Sequence, residues 1–323
     1  MVTVSVPGKI HVMGEHAVVY GKPAILAAIN LRMCISIRHQ TRQKHHVHKK
    51  QMDIEILSQE PINDAQYAVR LLLEQLSVND YQPFSISISS QIPAGYHLGS
   101  SAALAVGLSG VMLYYFKKVW NPIRINELAY EIEKKQHGNP SGGDNTAVTT
   151  GGFLWFRKEL EFLKSMWQLP FKPQSSLNHF FLINTGKPIE TTGEMVTYVK
   201  EKMQKEKIKM EKLLALNEQQ TKRIVLALKE GNEEELLDAI HIGEQTLEGF
   251  GVVSKTIQPL MRAIEKTGGA AKILGGGGRK AGVGFILCYH HTPKDIEYMC
   301  RPYGYSLKHI TLGEEGVRLE SKY

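Results

Sequence analysis

The sequence predicts an α+β protein of two domains, and three observations predict it. The chain has 323 residues, more than a single small core needs. Its first half interleaves β-branched runs with helical ones. Beyond residue 172 long helical patterns take over before strands return. The expected division is therefore 1–172 and 173–323.

Val2–Val6, Ala24–Arg38, Asp53–Leu57 and Phe84–Ile92 read as strands from their β-branched content and partial alternation. Asp64–Leu76, Ala102–Phe116 and Ile125–Gln136 carry helical periodicity, and Gly151–Arg157 returns to strand. Past Pro170–Gln174 come a short strand, Phe180–Asn184, and helical runs at Thr192–Lys229, Glu233–Leu247 and Lys255–Lys266. The first two are separated at Gly231–Asn232. Strands at Val283–Cys288 and Ser306–Thr311 flank a helix at Lys294–Cys300. No internal repeat or Pro/Ser-rich linker interrupts this order.

A hydrophobic content of 42% is ample for a core, and no apolar run is long enough to span a bilayer. The opening residues, Met1-Val-Thr-Val-Ser-Val, read as a strand and not as a signal peptide. Cys34, Cys288 and Cys300 show no metal-ligand spacing and fit reduced thiols, so a cytoplasmic protein is expected. The net charge of +7 fits nucleic acid, a membrane surface or small anions as partners. Much of it lies in Arg38–Lys50 and Lys200–Lys212. The first reads as a solvated basic loop, with metal binding by His45, His46 and His48 as the lesser alternative. The second reads as the charged face of a helix.

Four segments carry chemistry. Pro93-Ala-Gly-Tyr-His-Leu-Gly-Ser-Ser-Ala102 joins a strand to a helix. Gly95 and Gly99 permit tight bends, and Ser100 and Ser101 stand where the helix begins, so free N–H groups and the positive end of the helix dipole suit a phosphate. Gly-Ser-Ser also serves as a plain N-cap. No G-x-x-x-x-G-K-[ST] is present. Pro7-Gly-Lys-Ile-His-Val-Met-Gly-Glu-His16 reads as a Pro-Gly turn with a cation, an acid and an imidazole near one strand exit. Its H-x-x-x-E-H spacing is one residue too long for a zinc-protease motif. His137-Gly-Asn-Pro-Ser-Gly-Gly-Asp-Asn145 reads as an irregular loop around Asp144. In Ala271-Lys-Ile-Leu-Gly-Gly-Gly-Gly-Arg-Lys280, four glycines let backbone N–H groups face an anion, with Arg279 and Lys280 adding charge.

The last three of these segments, in this order, resemble the three signatures of the GHMP kinases, the superfamily of galactokinase, homoserine kinase, mevalonate kinase and phosphomevalonate kinase. PGKIHVMGEHAVVYGKPAI, GNPSGGDN and Phe181–Pro188 resemble the mevalonate kinases most closely. The resemblance covers nearly the whole chain. It implies a ribosomal-protein-S5-like α/β domain that binds ATP and Mg²⁺, followed by a ferredoxin-like α+β domain with added helices. The implied reaction is ATP-dependent phosphorylation of the 5-hydroxyl of mevalonate, in isoprenoid biosynthesis.

Carried over by motif position, the resemblance implies Asp144 as catalytic carboxylate with Lys9 paired to it, and Ser101 and Glu133 as magnesium ligands. It implies nucleotide binding by Pro93, Gly95, His97, Leu98, Gly99, Ser100, Ser101 and Ala102. Substrate binding falls to Glu15, His16, Thr191, Gly276 and Gly277. His97 replaces a family glycine. In the third motif Leu274 replaces a hydroxyl residue, and Arg279-Lys280 replace two glycines. Those cations mildly favour a phosphorylated acceptor, as in a phosphomevalonate kinase. A non-catalytic nucleic-acid-binding or regulatory module is the remote alternative. No nucleic acid or membrane partner is expected, and a homodimer through the long helices or an N-terminal edge is compatible with the sequence.

Overall fold

The computed structural model describes residues 1–40, 52–56, 65–138 and 140–322. His45, His46 and His48, with most of the basic run around them, lie outside the described residues. The strands are β1 (Val2–Met13), β2 (Pro23–His39), β3 (Met52–Ile56), β4 (Phe84–Ser90), β5 (Phe153–Lys158), β6 (Lys164–Leu169), β7 (Phe180–Asn184), β8 (Ala270–Ile273), β9 (Phe285–Tyr289), β10 (Ser306–Ile310) and β11 (Arg318–Lys322). The helices are α1 (Ala65–Gln75), α2 (Ser100–Lys117), α3 (Pro122–His137), α4 (Gly143–Thr150), α5 (Thr192–Lys205), α6 (Lys207–Glu230), α7 (Glu233–Phe250), α8 (Gln258–Lys266) and α9 (Pro293–Cys300). None of the described helices is long and apolar enough to cross a membrane.

Two compact units emerge, and they are not consecutive in sequence. One comprises Met1–Lys9, Ala28–Gly151 and Glu314–Tyr323; the other comprises Ile10–Ala27 and Gly152–Gly313. A single boundary near 172 therefore does not describe the compact units: the last strand belongs with the first residues.

In the first unit the strand order is β11-β1-β2-β4-β3. Alternation along β2 buries Met33, Ile35 and Ile37, and β4 buries Phe84, Ile86 and Ile88 opposite them, in an antiparallel register that pairs Ile35 with Ile88. Each such side chain contributes roughly 1.5–3 kcal/mol by leaving water. The parallel β3–β4 pair extends the sheet. Helix α2 is buried from Ala102 to Leu113, and Gly107 explains how close it comes to the strands. A Cβ there would lie 2.7 Å from Ile35 Cδ1 and 3.2 Å from Val6 Cγ2. Arg32 ties in the chain end by donating to Ser5 Oγ (2.9 Å) and to the Glu315 and Gly316 carbonyls (both 2.8 Å).

The second unit holds an antiparallel sheet of order β10-β7-β9-β8. Its core gathers Phe181 and Ile183 of β7, Met195 of α5, Leu247 and Phe250 of α7, Ile264 of α8 and Ile286 of β9. The β5–β6 hairpin pairs through β5 with Pro23–Ala27. Most expected elements stand, with shifted ends. The run 192–229 breaks at Glu206 into α5 and α6. The expected break at Gly231–Asn232 is real: Gly231 closes α6 at φ 74°, and Asn232 caps α7 through its side chain.

Two readings need correction. Pro7-Gly8 forms no turn but lies inside β1, where the missing Cβ of Gly8 accommodates the Leu98 carbonyl at 3.0 Å from the Cβ position. Asp144 is not in an irregular loop; it stands in the first turn of α4.

Candidate active site

The phosphate-loop segment of the first unit leaves β4 and enters α2 through alternating left-handed residues: Gly95 at φ 79°, His97 at 61° and Gly99 at 80°. Glycine accepts this conformation freely, whereas histidine is strained in it. Gly99 is the N-cap of α2, and no side chain caps that terminus. An uncapped helix N-terminus directs its first N–H groups and the positive dipole end at whatever lies in front. Ahead of it is a cavity of ≈430 Å³. Its walls include Pro93, Gly95, His97, Leu98, Gly99, Ser100, Ser101 and Ala102 from the loop and α2, Glu133 from α3, and Asp144 from α4.

Lys9 projects from β1, whose backbone N–H at this residue donates to the Leu98 carbonyl at 2.9 Å, fastening strand to loop. The Lys9 side chain is 2% exposed. Its Nζ lies 2.9 Å from Asp144 Oδ1, while the Asp144 side chain is 41% exposed. The lysine is thus buried beneath the carboxylate, which faces solvent. Placement in the first turn of α4 adds the helix dipole to Lys9 in stabilising the ionised acid. Gly99 is required here: a Cβ would come within 2.8 Å of Lys9 Cγ.

Ser101 Oγ donates to Glu133 Oε1, with Glu133 only 7% exposed. A hydroxyl and a carboxylate held together form a hard-oxygen pair suited to Mg²⁺. The His97 ring is held below the ordinary histidine pKa, first by lost hydration and then by Lys9, with Asp144 pulling it back up. That direction favours the neutral imidazole on the cavity wall.

In the second unit, Glu15 and His16 form a tight turn after β1. Gly14 takes φ 105°, where a Cβ would fall 2.5 Å from Ala24 Cα, and His16 takes φ 57°. His16 is buried, and its Nε2 donates to the Gly276 carbonyl at 3.0 Å. Burial lowers the His16 pKa, and that hydrogen bond partly restores it. Glu15 is buried against Lys272 at 2.5 Å. Gly275 and Gly277 turn the glycine loop through the left-handed region at φ 69° and 70°, and a Cβ on Gly277 would lie 2.2 Å from the Val252 carbonyl oxygen.

The Thr191 hydroxyl is taken up in the capping box of α5: it accepts from the Glu194 N–H and donates to Glu194 Oε2 at 2.9 Å. Leu274 is buried. Arg279 stacks its guanidinium 3.9 Å from the Tyr198 ring centre. Lys272 and its neighbour Glu244 escaped the sequence reading. The available signal was a lone lysine within an apolar strand, a placement that demands a buried counter-charge.

Residues 63–152 match the family described as GHMP kinases N terminal domain. The mevalonate kinase of Archaeoglobus fulgidus is 30% identical over 321 residues, covering 98% of this chain and 99% of its own length. That of Pyrococcus horikoshii is 29% identical over 302 residues, covering 86% of each chain. Among solved structures, L. major mevalonate kinase in complex with R-mevalonate matches the fold with a TM-score of 0.80 at 19% identity, covering 97% of this chain and 96% of that one. Full-length similarity of this degree, added to a phosphate loop, an ion pair of buried Lys9 with half-exposed Asp144 and a Ser101–Glu133 pair in one unit, shows that the chain belongs to the mevalonate kinases of the GHMP kinase family.

Proposed function

We propose that this protein transfers the γ-phosphoryl group of ATP to the 5-hydroxyl of mevalonate, giving 5-phosphomevalonate and ADP. The observation that carries the reading is the buried ammonium of Lys9 at 2.9 Å from the half-exposed carboxylate of Asp144, on the wall of a cavity headed by an uncapped helix. Phosphoryl transfer needs positioning, neutralised charge and a destination for the hydroxyl proton. The N-terminus of α2 and the loop 95–99 bind the nucleotide phosphates. Asp144 orients the acceptor hydroxyl and receives its proton as the new O–P bond forms and the bond from the γ-phosphorus to ADP breaks. Lys9 holds that carboxylate ionised and in place. Ser101 and Glu133 would hold Mg²⁺, whose charge lowers the cost of bringing the acceptor oxygen to an anionic phosphoryl group. By resemblance, His16 and the glycine loop contact the acceptor.

The stacking of Arg279 on Tyr198 engages one of the two cations that favoured a phosphorylated acceptor. The test is ADP release from Mg-ATP with R-mevalonate, 5-phosphomevalonate, galactose and homoserine compared side by side. Turnover on R-mevalonate alone is expected; turnover on 5-phosphomevalonate alone would replace this reading with the sister kinase.

A further inference from the structure

Lys272 is wholly buried in β8. Its ammonium donates to Glu15 Oε1 (2.5 Å), to the Ile273 carbonyl (2.6 Å) and to the His11 carbonyl (3.3 Å). An ammonium has three N–H donors, and these partners use all of them. Glu244 of α7 is also wholly buried. Its Oε2 accepts the Ile273 N–H at 3.0 Å, and its Oε1 has no hydrogen-bond partner among the described residues. One cation thus stands beside two carboxyl groups, away from water.

Resting on the kinase reading above, we propose that Glu15 is a positioning residue and not a direct contact to the acceptor: with Lys272 and Glu244 it forms a closed cluster of zero net charge that fixes the turn carrying His16 against the glycine loop. Glu15 is 4% exposed and its Oε1 accepts from Lys272, so it is burial that keeps its carboxylate from a ligand in the surrounding solvent. A second buried carboxylate with only one amide donor and an unpaired oxygen would carry a large desolvation cost. Glu244 avoids it by keeping its proton. Burial drives it well above the ordinary carboxylate range, the charges of Glu15 and Glu248 push the same way, and Lys272 and the Ile273 N–H oppose. The cluster joins consecutive features. Glu15 lies between Gly14 and His16, both left-handed, and His16 grips the Gly276 carbonyl four residues beyond Lys272. Releasing Glu15 frees both ends of that span.

The test compares Glu15→Gln with Glu244→Gln in the full-length protein. Infrared difference spectra of wild type and Glu244→Gln at neutral pH should show the carbonyl stretch of an un-ionised carboxylic acid, lost in the variant; its absence from the wild type overturns the proposal. Glu244→Gln should change Tm by less than about 3 °C, whereas Glu15→Gln, stranding Lys272, should lower it by about 10 °C. Equal losses would overturn the charge assignment. Glu15→Gln should also raise KM for mevalonate about tenfold with a much smaller change in kcat. A raised KM at unchanged Tm would return Glu15 to direct contact and sink the positioning role. The infrared and thermal results do not depend on turnover, so they decide the cluster even if the kinase reading fails.

Discussion

Lys9 and Asp144 share one ion pair unequally, the lysine at 2% exposure and the carboxylate at 41%. That asymmetry leaves one face of the acid open to a ligand while its charge is held from beneath. Asp144→Ala is expected to lower kcat by about 10³-fold, within the range of a lost acid–base group, while nucleotide affinity measured by titration calorimetry stays close to wild type. A comparable loss of ATP binding would mean that Asp144 shapes the phosphate site instead. His97 is held at φ 61°, in the left-handed region that favours glycine. His97→Gly should therefore raise the urea midpoint, by up to about 1 kcal/mol of stability; a loss would show that the imbalance is offset by contacts of the ring. His16 and His97 are both held below the ordinary histidine pKa of 6.5, chiefly through lost hydration. The unfolded chain then binds more protons than the folded one just below that value. Their contribution to stability is full above pH 6.5 and is lost as pH falls below it. Tm should fall on acidification through this window, and less steeply in His16→Asn. Identical slopes would remove His16 from the acid response.

Sequence periodicity made the long elements legible because their burial follows it: α2, α3, β2, β4 and β7 all stand where alternation or helical spacing placed them. Strands β6, β8 and β11 and helix α4 escaped, and in β8 and α4 the local preference contradicts the state. Strand β8 reads Ala-Ala-Lys-Ile, poor in β-formers, and is held as a strand by β9 on one edge. Helix α4 opens with glycine and carries several β-branched residues, so it has little intrinsic helicity. Missing α4 also misplaced Asp144 in a loop, although its motif was recognised. The candidate site was legible through motif order, which names Lys9, Ser101, Glu133 and Asp144. The Glu15–Lys272–Glu244 cluster was not, because its members are scattered over the sequence and only folding brings them together. The capping box of α5 gives a prediction at this scale. Thr191→Ala should cost about 1 kcal/mol of stability, read from denaturant unfolding. A rise in KM for the acceptor beyond what that loss explains would give the hydroxyl a binding role in addition to the cap.

The chain closes on itself within its first unit. Strand β11 pairs antiparallel with β1, matching Val2 to Lys322, and Arg32 binds the carbonyls just before it. Gly151 at φ 70° packs so closely on Gly316 that a Cβ would fall 2.1 Å from its amide nitrogen. Removing Glu314–Tyr323 should therefore destabilise the unit that carries Lys9 and Asp144, read as a lower Tm and lost turnover; a truncated protein with unchanged Tm would show that the pairing is dispensable. The claim on which the account depends most is that this chain phosphorylates mevalonate. The most direct measurement is ADP release from Mg-ATP by the purified protein with R-mevalonate, 5-phosphomevalonate, galactose and homoserine as separate acceptors. The account predicts turnover with R-mevalonate that Asp144→Ala lowers about 10³-fold, and none with the other three; no turnover with R-mevalonate, or a near-normal rate in Asp144→Ala, would contradict it.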